Sequence, residues 1–95
     1  MLFTKYLRDG VRSGAITRTV RVWMNPRVTA GKRYRFEDAE IEVDSIVPIT
    51  FDDITPSLAR ACGFRTVNDL LKVAKHGRGE NVYLIDFHYV PPKRR

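Results

Sequence analysis

Ala39-Glu40-Ile41-Glu42-Val43-Asp44-Ser45-Ile46-Val47-Pro48-Ile49-Thr50-Phe51 is the stretch on which the fold turns. Ile41, Val43, Val47, Ile49 and Phe51 all fall on odd numbers. Side chains alternate faces along a strand, so this sustained period of two predicts a long strand with one apolar face. Proline donates no backbone hydrogen bond, which places Pro48 at a sheet edge or a bend. Just upstream, Lys32 to Phe36 reads as another strand, joined by a two-residue turn at Glu37-Asp38. That turn sets Arg35 opposite Glu40 and Arg33 opposite Glu42, as cross-strand ion pairs on a wet face, with nucleic-acid contact as the competing role for the two arginines.

Further out, Thr17 to Trp23 is a third β-type run. Val20 and Val22 share a face with Arg18, while Thr17, Thr19, Arg21 and Trp23 share the other. Residues 24–27 and 29–31 read as loop. Phe3, Tyr6, Leu7 and Val11 recur at helical spacing and predict a helix over residues 2–13, stopped by Gly14. Lys5, Arg8 and Arg12 form a basic stripe on its other side. Downstream, Thr55-Pro56 opens a short helix that Gly63 closes. Thr66-Val67-Asn68-Asp69 approximates a capping box and starts a second, ending at His76-Gly77. Asn81 to Val90 is the last strand, with Tyr83, Ile85, Phe87 and Tyr89 on one face and Val82, Leu84, Asp86 and His88 on the other. The order predicts an α+β domain: a small, mostly antiparallel barrel with an N-terminal helix and two short helices before the last strand. Residues 1–90 form the domain and residues 91–95 a basic flexible tail.

With 95 residues there is room for one core. No apolar run approaches a membrane span, and the charged residues of the first helix argue against a secretory signal, so a cytoplasmic protein is expected. Cys62 has no second cysteine to pair with and sits in a helical context as a small hydrophobe. His76 and His88 lack metal-ligand spacing, so no metal or cofactor is expected, and His88 reads as a surface or edge histidine. Charge is more informative. Residues 1–35 carry nine Lys/Arg against one acid, residues 36–71 two against eight, and residues 72–95 six against two. A basic first third suits an anionic partner, because a guanidinium pairs with phosphate.

Gly14-Ala15-Ile16-Thr17-Arg18-Thr19-Val20-Arg21, the later Gly31-Lys32-Arg33-Tyr34, the segment Gly63 to Leu70 and Val82 to Phe87 occur in an order that resembles the ASCH family. The resemblance covers about Phe3 to Val90. It implies a PUA-like β-barrel linked to RNA and modified nucleosides. In relatives that hydrolyse acetylcytidine, a lysine, a threonine and a glutamate carry the reaction. Thr19 matches the threonine, but Ile16 occupies the lysine place and Cys62-Gly63 stands near the glutamate place. Thr19 alone supplies neither an activated nucleophile nor a proton donor, so amidohydrolase activity is not expected.

What remains is a binding face. Thr19, Arg21 and Trp23, at spacing two on one strand, can hydrogen-bond, pair with phosphate and stack on a base, with Lys5 and Arg12 adding charge nearby. Core packing is the competing role for Trp23, and an ion pair with a carboxylate such as Asp86 the competing role for Arg21. Tyr34, Tyr83 and Phe87 read as core. The leading reading is RNA or nucleotide-like ligand binding in a basic cleft. Its alternatives are a hydrolase of acylated nucleosides or a ribonuclease, in which Thr19 would be catalytic, and a regulatory module that meets an acidic protein.

Overall fold

Val82, Tyr83, Ile85 and Phe87 are all buried along one ten-residue strand, and that double-sided burial makes it the spine of the sheet. In a computed structural model describing residues 3–75 and 79–92, this strand, β4 (Asn81–Val90), lies between β1 (Arg18–Trp23) and β3 (Ala39–Ile49). β2 (Arg33–Phe36) adds to the far side of β3, giving an antiparallel sheet in the order β1-β4-β3-β2. The sheet curls into a half-barrel. β1 and β2 remain its edges, so a closed barrel is not formed by these strands.

The β2–β3 hairpin has the expected register, Arg33 opposite Glu42 and Arg35 opposite Glu40. Its turn carries Glu37 at φ 53°, the positive value a tight two-residue hairpin turn requires. β3 departs from the predicted even alternation. Val43 pairs with Phe87 but Ser45 pairs with Asp86, so Asp44 is an extra residue in a β-bulge. The bulge exchanges the faces. Ile41 and Val43 point into the half-barrel, whereas beyond it Ile46 takes the inner place and Val47 is left half exposed. Regular pairing would have put Asp44 directly across from Asp86, an unfavourable like-charge pair. The strand ends at Ile49, and Phe51 lies in an exposed 3-10 turn (Phe51–Asp53) instead of continuing it. β2 reaches only the first part of β3, so Pro48 sits where no strand covers the outer edge, as its missing N–H demands.

The N-terminal helix is shorter than predicted: a 3-10 turn at Lys5–Leu7 runs into α1 (Arg8–Ser13), and Gly14 ends it in the left-handed conformation. Residue 2 of the predicted span lies outside the described residues. Phe3 and Val11 pack with Phe36, Ile41 and Phe87 at one end of the half-barrel, while Trp23, Val28, Val43, Tyr83 and Ile85 fill the other. The remaining helices are α2 (Pro56–Ala61) and α3 (Val67–Ala74). Thr55 and Thr66 cap them by accepting from the backbone N–H of Leu58 and Asp69, as the sequence indicated. They cover half of the outer face, burying Ala59, Leu70 and Ala74 on Val20, Val22 and Val82. The predicted helix end at His76-Gly77 and the tail past Pro92 lie outside the described residues. Among those described, no helix is long and apolar enough to cross a membrane.

Candidate nucleic-acid interface

Thr19, Arg21 and Trp23 do share one face of β1, and that face is buried, with 7%, 7% and 3% exposure, as are Val20 and Val22 on the other. Arg21 Nε donates to Thr19 Oγ1 at 3.2 Å, and its guanidinium lies 5.1 Å from the centre of the Phe3 ring. Desolvation lowers its pKa to about 10, which still leaves it cationic at neutral pH. Asp86 is not its partner. Asp86 lies across the pair from Arg18 on the outer face, and the Arg18 Nε–Asp86 Oδ1 ion pair measures 2.9 Å. Strand parity explains the choice, since Arg21 and Asp86 project from opposite faces of the sheet. Trp23 packs on Tyr83 at 6.1 Å between ring centres, and its Nε1 has no hydrogen-bond partner. At 3% exposure the indole presents no open face on which a base could stack.

At the Thr19 end of β1, Ile16 is an apolar wedge. A Cβ added to Gly63 would sit 2.7 Å from Ile16 Cδ1 and 2.6 Å from Leu7 Cδ2, and one added to Gly10 would sit 2.5 Å from Ile16 Cδ1. Ile16 and Gly63 are therefore in contact in this fold, an isoleucine closing over a glycine. Beside them Cys62 is 2% exposed, and burial pushes its thiol up to about 11. A protonated, buried thiol is a poor nucleophile. The Thr19 hydroxyl already accepts from Arg21.

The other predicted contacts divide. Lys5 is exposed and in no ion pair among the described residues. Arg12 donates to Asp9 Oδ1 at 3.0 Å and bonds the Glu37 carboxylate, so it ties α1 to the β2–β3 turn. Arg33 is held by Glu42 at 3.1 Å. Arg35, though opposite Glu40, makes no ion pair, and with Arg33, Val90 and Pro91 it lines an open groove of about 390 Å³.

The residues that sequence reasoning passed over are Arg27 and Lys32. They lie on the segment 24–32, which leaves β1 at one edge of the sheet and reaches β2 at the other. This crossing is well fastened. Val28 is buried against Trp23, Asn81 Nδ2 donates to the Met24 carbonyl at 2.7 Å, and the Thr29 N–H donates to the Tyr34 hydroxyl at 2.7 Å. Gly31 N–H donates to the Val43 carbonyl at 2.7 Å, and the Val43 N–H returns to Lys32 at 3.0 Å. Arg27 and Lys32 are exposed and in no ion pair among the described residues, and Arg27 rests 6.0 Å over the Trp23 ring. The sequence signal was their place between two strands, but its meaning depends on the strand order. No protein-family model matches the chain, and no curated protein or solved structure matches it either.

Proposed function

We propose that the chain is an ASCH-type, PUA-like domain that binds single-stranded RNA or a nucleotide-like anion without hydrolysing it. The observation that carries this reading is the group Arg27, Lys32 and Arg35: three exposed cations outside any ion pair among the described residues, on one fastened crossing segment and the edge strand that follows it. Cations on a fastened backbone need no loop ordering to meet phosphates, and nucleic-acid affinity rests largely on such contacts. The buried Thr19-Arg21-Trp23 row supports this surface from beneath, with the Trp23 ring as the floor under Arg27. Lys5, at the other end, adds long-range attraction to the strand. The curled sheet, spanned by the crossing segment, accords with a PUA-like arrangement. The Ile16–Gly63 contact supports absence of amide hydrolysis, because an apolar side chain and a glycine stand where the resembled family carries a lysine and a glutamate, and the neighbouring Cys62 thiol is buried and protonated.

Anisotropy of a labelled oligonucleotide, read at 50 and 200 mM salt, tests this. Three phosphate contacts on a single strand give a log–log slope near −2, so wild-type affinity falls about 20-fold between the two conditions. Mutating Arg27, Lys32 and Arg35 together to Ala removes most of that dependence. A triple variant with wild-type affinity and slope contradicts the proposal. Absence of wild-type binding at the lower salt favours an acidic protein as the partner.

A further inference from the structure

The half of the outer face that α2 and α3 leave uncovered holds a second constellation, independent of the RNA reading. His88 on β4 lies directly across from Glu42 on β3, and Asp44 occupies the bulge beside it. His88 Nδ1 is 2.9 and 3.1 Å from the two Asp44 oxygens, while Nε2 is 4.0 Å from Glu42 Oε2. One donor atom from each of the three residues lies within 4.8 Å of the others. We propose that Glu42, Asp44 and His88 form a binding site for a borderline divalent transition metal of the Zn²⁺ class.

Donor chemistry selects that class. One imidazole with two carboxylates suits Zn²⁺ and its first-row neighbours, whereas Mg²⁺ prefers an all-oxygen shell. Three protein ligands leave a coordination position for water, and side-chain exposures of 30–49% leave that position open to solvent. Ligand atoms around a tetrahedral Zn²⁺ stand roughly 3–3.5 Å apart given bonds of about 2 Å, so the three groups need to close by little more than 1 Å. The ligands come from two neighbouring paired strands, which fixes their backbone positions. The bulge is what makes the set: it turns Asp44 from Asp86 to His88, while Asp86 takes Arg18 and the Ser45 hydroxyl instead. Such a site was not legible in the sequence, where His88 and Asp44 are 44 residues apart.

Arg33 supplies the test that a merely structural cluster would not pass. Its Nε holds Glu42 Oε1 at 3.1 Å, so it competes with a metal for that carboxylate. Calorimetric titration of the full chain with Zn²⁺ at neutral pH should show one site at micromolar dissociation constant, and Mg²⁺ should bind at least 100-fold more weakly. His88→Ala and Asp44→Asn, both at exposed positions, should each weaken Zn²⁺ binding tenfold or more while thermal unfolding stays cooperative. Arg33→Ala should tighten it several-fold. Absence of Zn²⁺ binding up to millimolar concentration overturns the proposal. So does unchanged affinity in His88→Ala, which would place the metal elsewhere, for example at His76. An Arg33→Ala variant that binds more weakly than wild type also contradicts the assigned role of Glu42.

Discussion

The two ends of β1, about 13 Å apart from Thr19 to Trp23 at strand rise, have been given opposite treatments. At the Thr19 end, Ile16 and Leu7 close over Gly63, Cys62 is buried beside it, and the Thr19 hydroxyl is held by Arg21. At the Trp23 end the ring is equally buried, but Arg27 lies over it in solvent and Lys32 follows along the same segment. The difference shows that a motif in register does not by itself place a site. A buried arginine holds the interior together, and in the proposed reading it is the exposed cations that meet a partner.

The largest expected effect comes from Trp23. If the ring is core, Trp23→Ala costs about 3–5 kcal/mol of folding stability, seen as a lowered urea midpoint. RNA affinity of the remaining folded fraction should change little beyond the Arg27 contact. A nearly full-stability variant with sharply reduced affinity would instead make Trp23 a stacking residue. The apolar closure at the other end is tested next by two glycines with positive φ. Gly31→Ala meets nothing within 4 Å and should cost only the backbone term, about 1–2 kcal/mol. Gly63→Ala adds overpacking against Leu7 and Ile16, about 1–3 kcal/mol more. Equal midpoints for the two would mean that the end is not tightly closed.

Cys62 gives a pH version of the same test. Its folded pKa of about 11 lies above the ordinary 9.0, so the folded chain keeps the proton longer than the unfolded one. The associated stability is fully present below pH 9 and is lost as pH rises through 9 to 11, by up to about 2–3 kcal/mol. Wild type should therefore lose more stability across that window than Cys62→Ala, measured by urea denaturation at pH 8.5 and 10.5. The smallest effect belongs to Arg33→Ala. Its ion pair with Glu42 is half exposed, so the loss should be a few tenths of a kcal/mol, with RNA affinity nearly unchanged. An Arg33→Ala affinity loss matching that of Arg35→Ala would blur the distinction between paired and available cations.

Much of the frame was legible because local chemistry decides it. Threonine caps at 55 and 66, Gly14 and Gly63 as stops, the Glu37-Asp38 turn and the two faces of residues 81–90 all rest on short-range rules. β3 was only half legible. Val47 and Ile49 continue the odd-numbered pattern of Ile41 and Val43, yet they face the other way, because Asp44 adds a residue and Ile49 finds a second apolar surface under the helices. Alternation reveals a strand but not which face is inner when both sides can be apolar. The pairing of Arg18, not Arg21, with Asp86 follows from the β1–β4 register, which a single strand does not specify. Arg27 and Lys32 escaped notice for the same reason: their segment acquires its position only when β1 and β2 fall at opposite edges of the sheet.

Backbone amide shifts of the labelled protein titrated with a short single-stranded RNA at low salt test the central claim most directly. The largest changes are expected at Arg27, Lys32 and Arg35 and their neighbours, with Gly10, Ile16, Cys62 and Gly63 little affected. Shifts concentrated at those four residues, with 24–35 silent, would place the ligand in the closed end and contradict it.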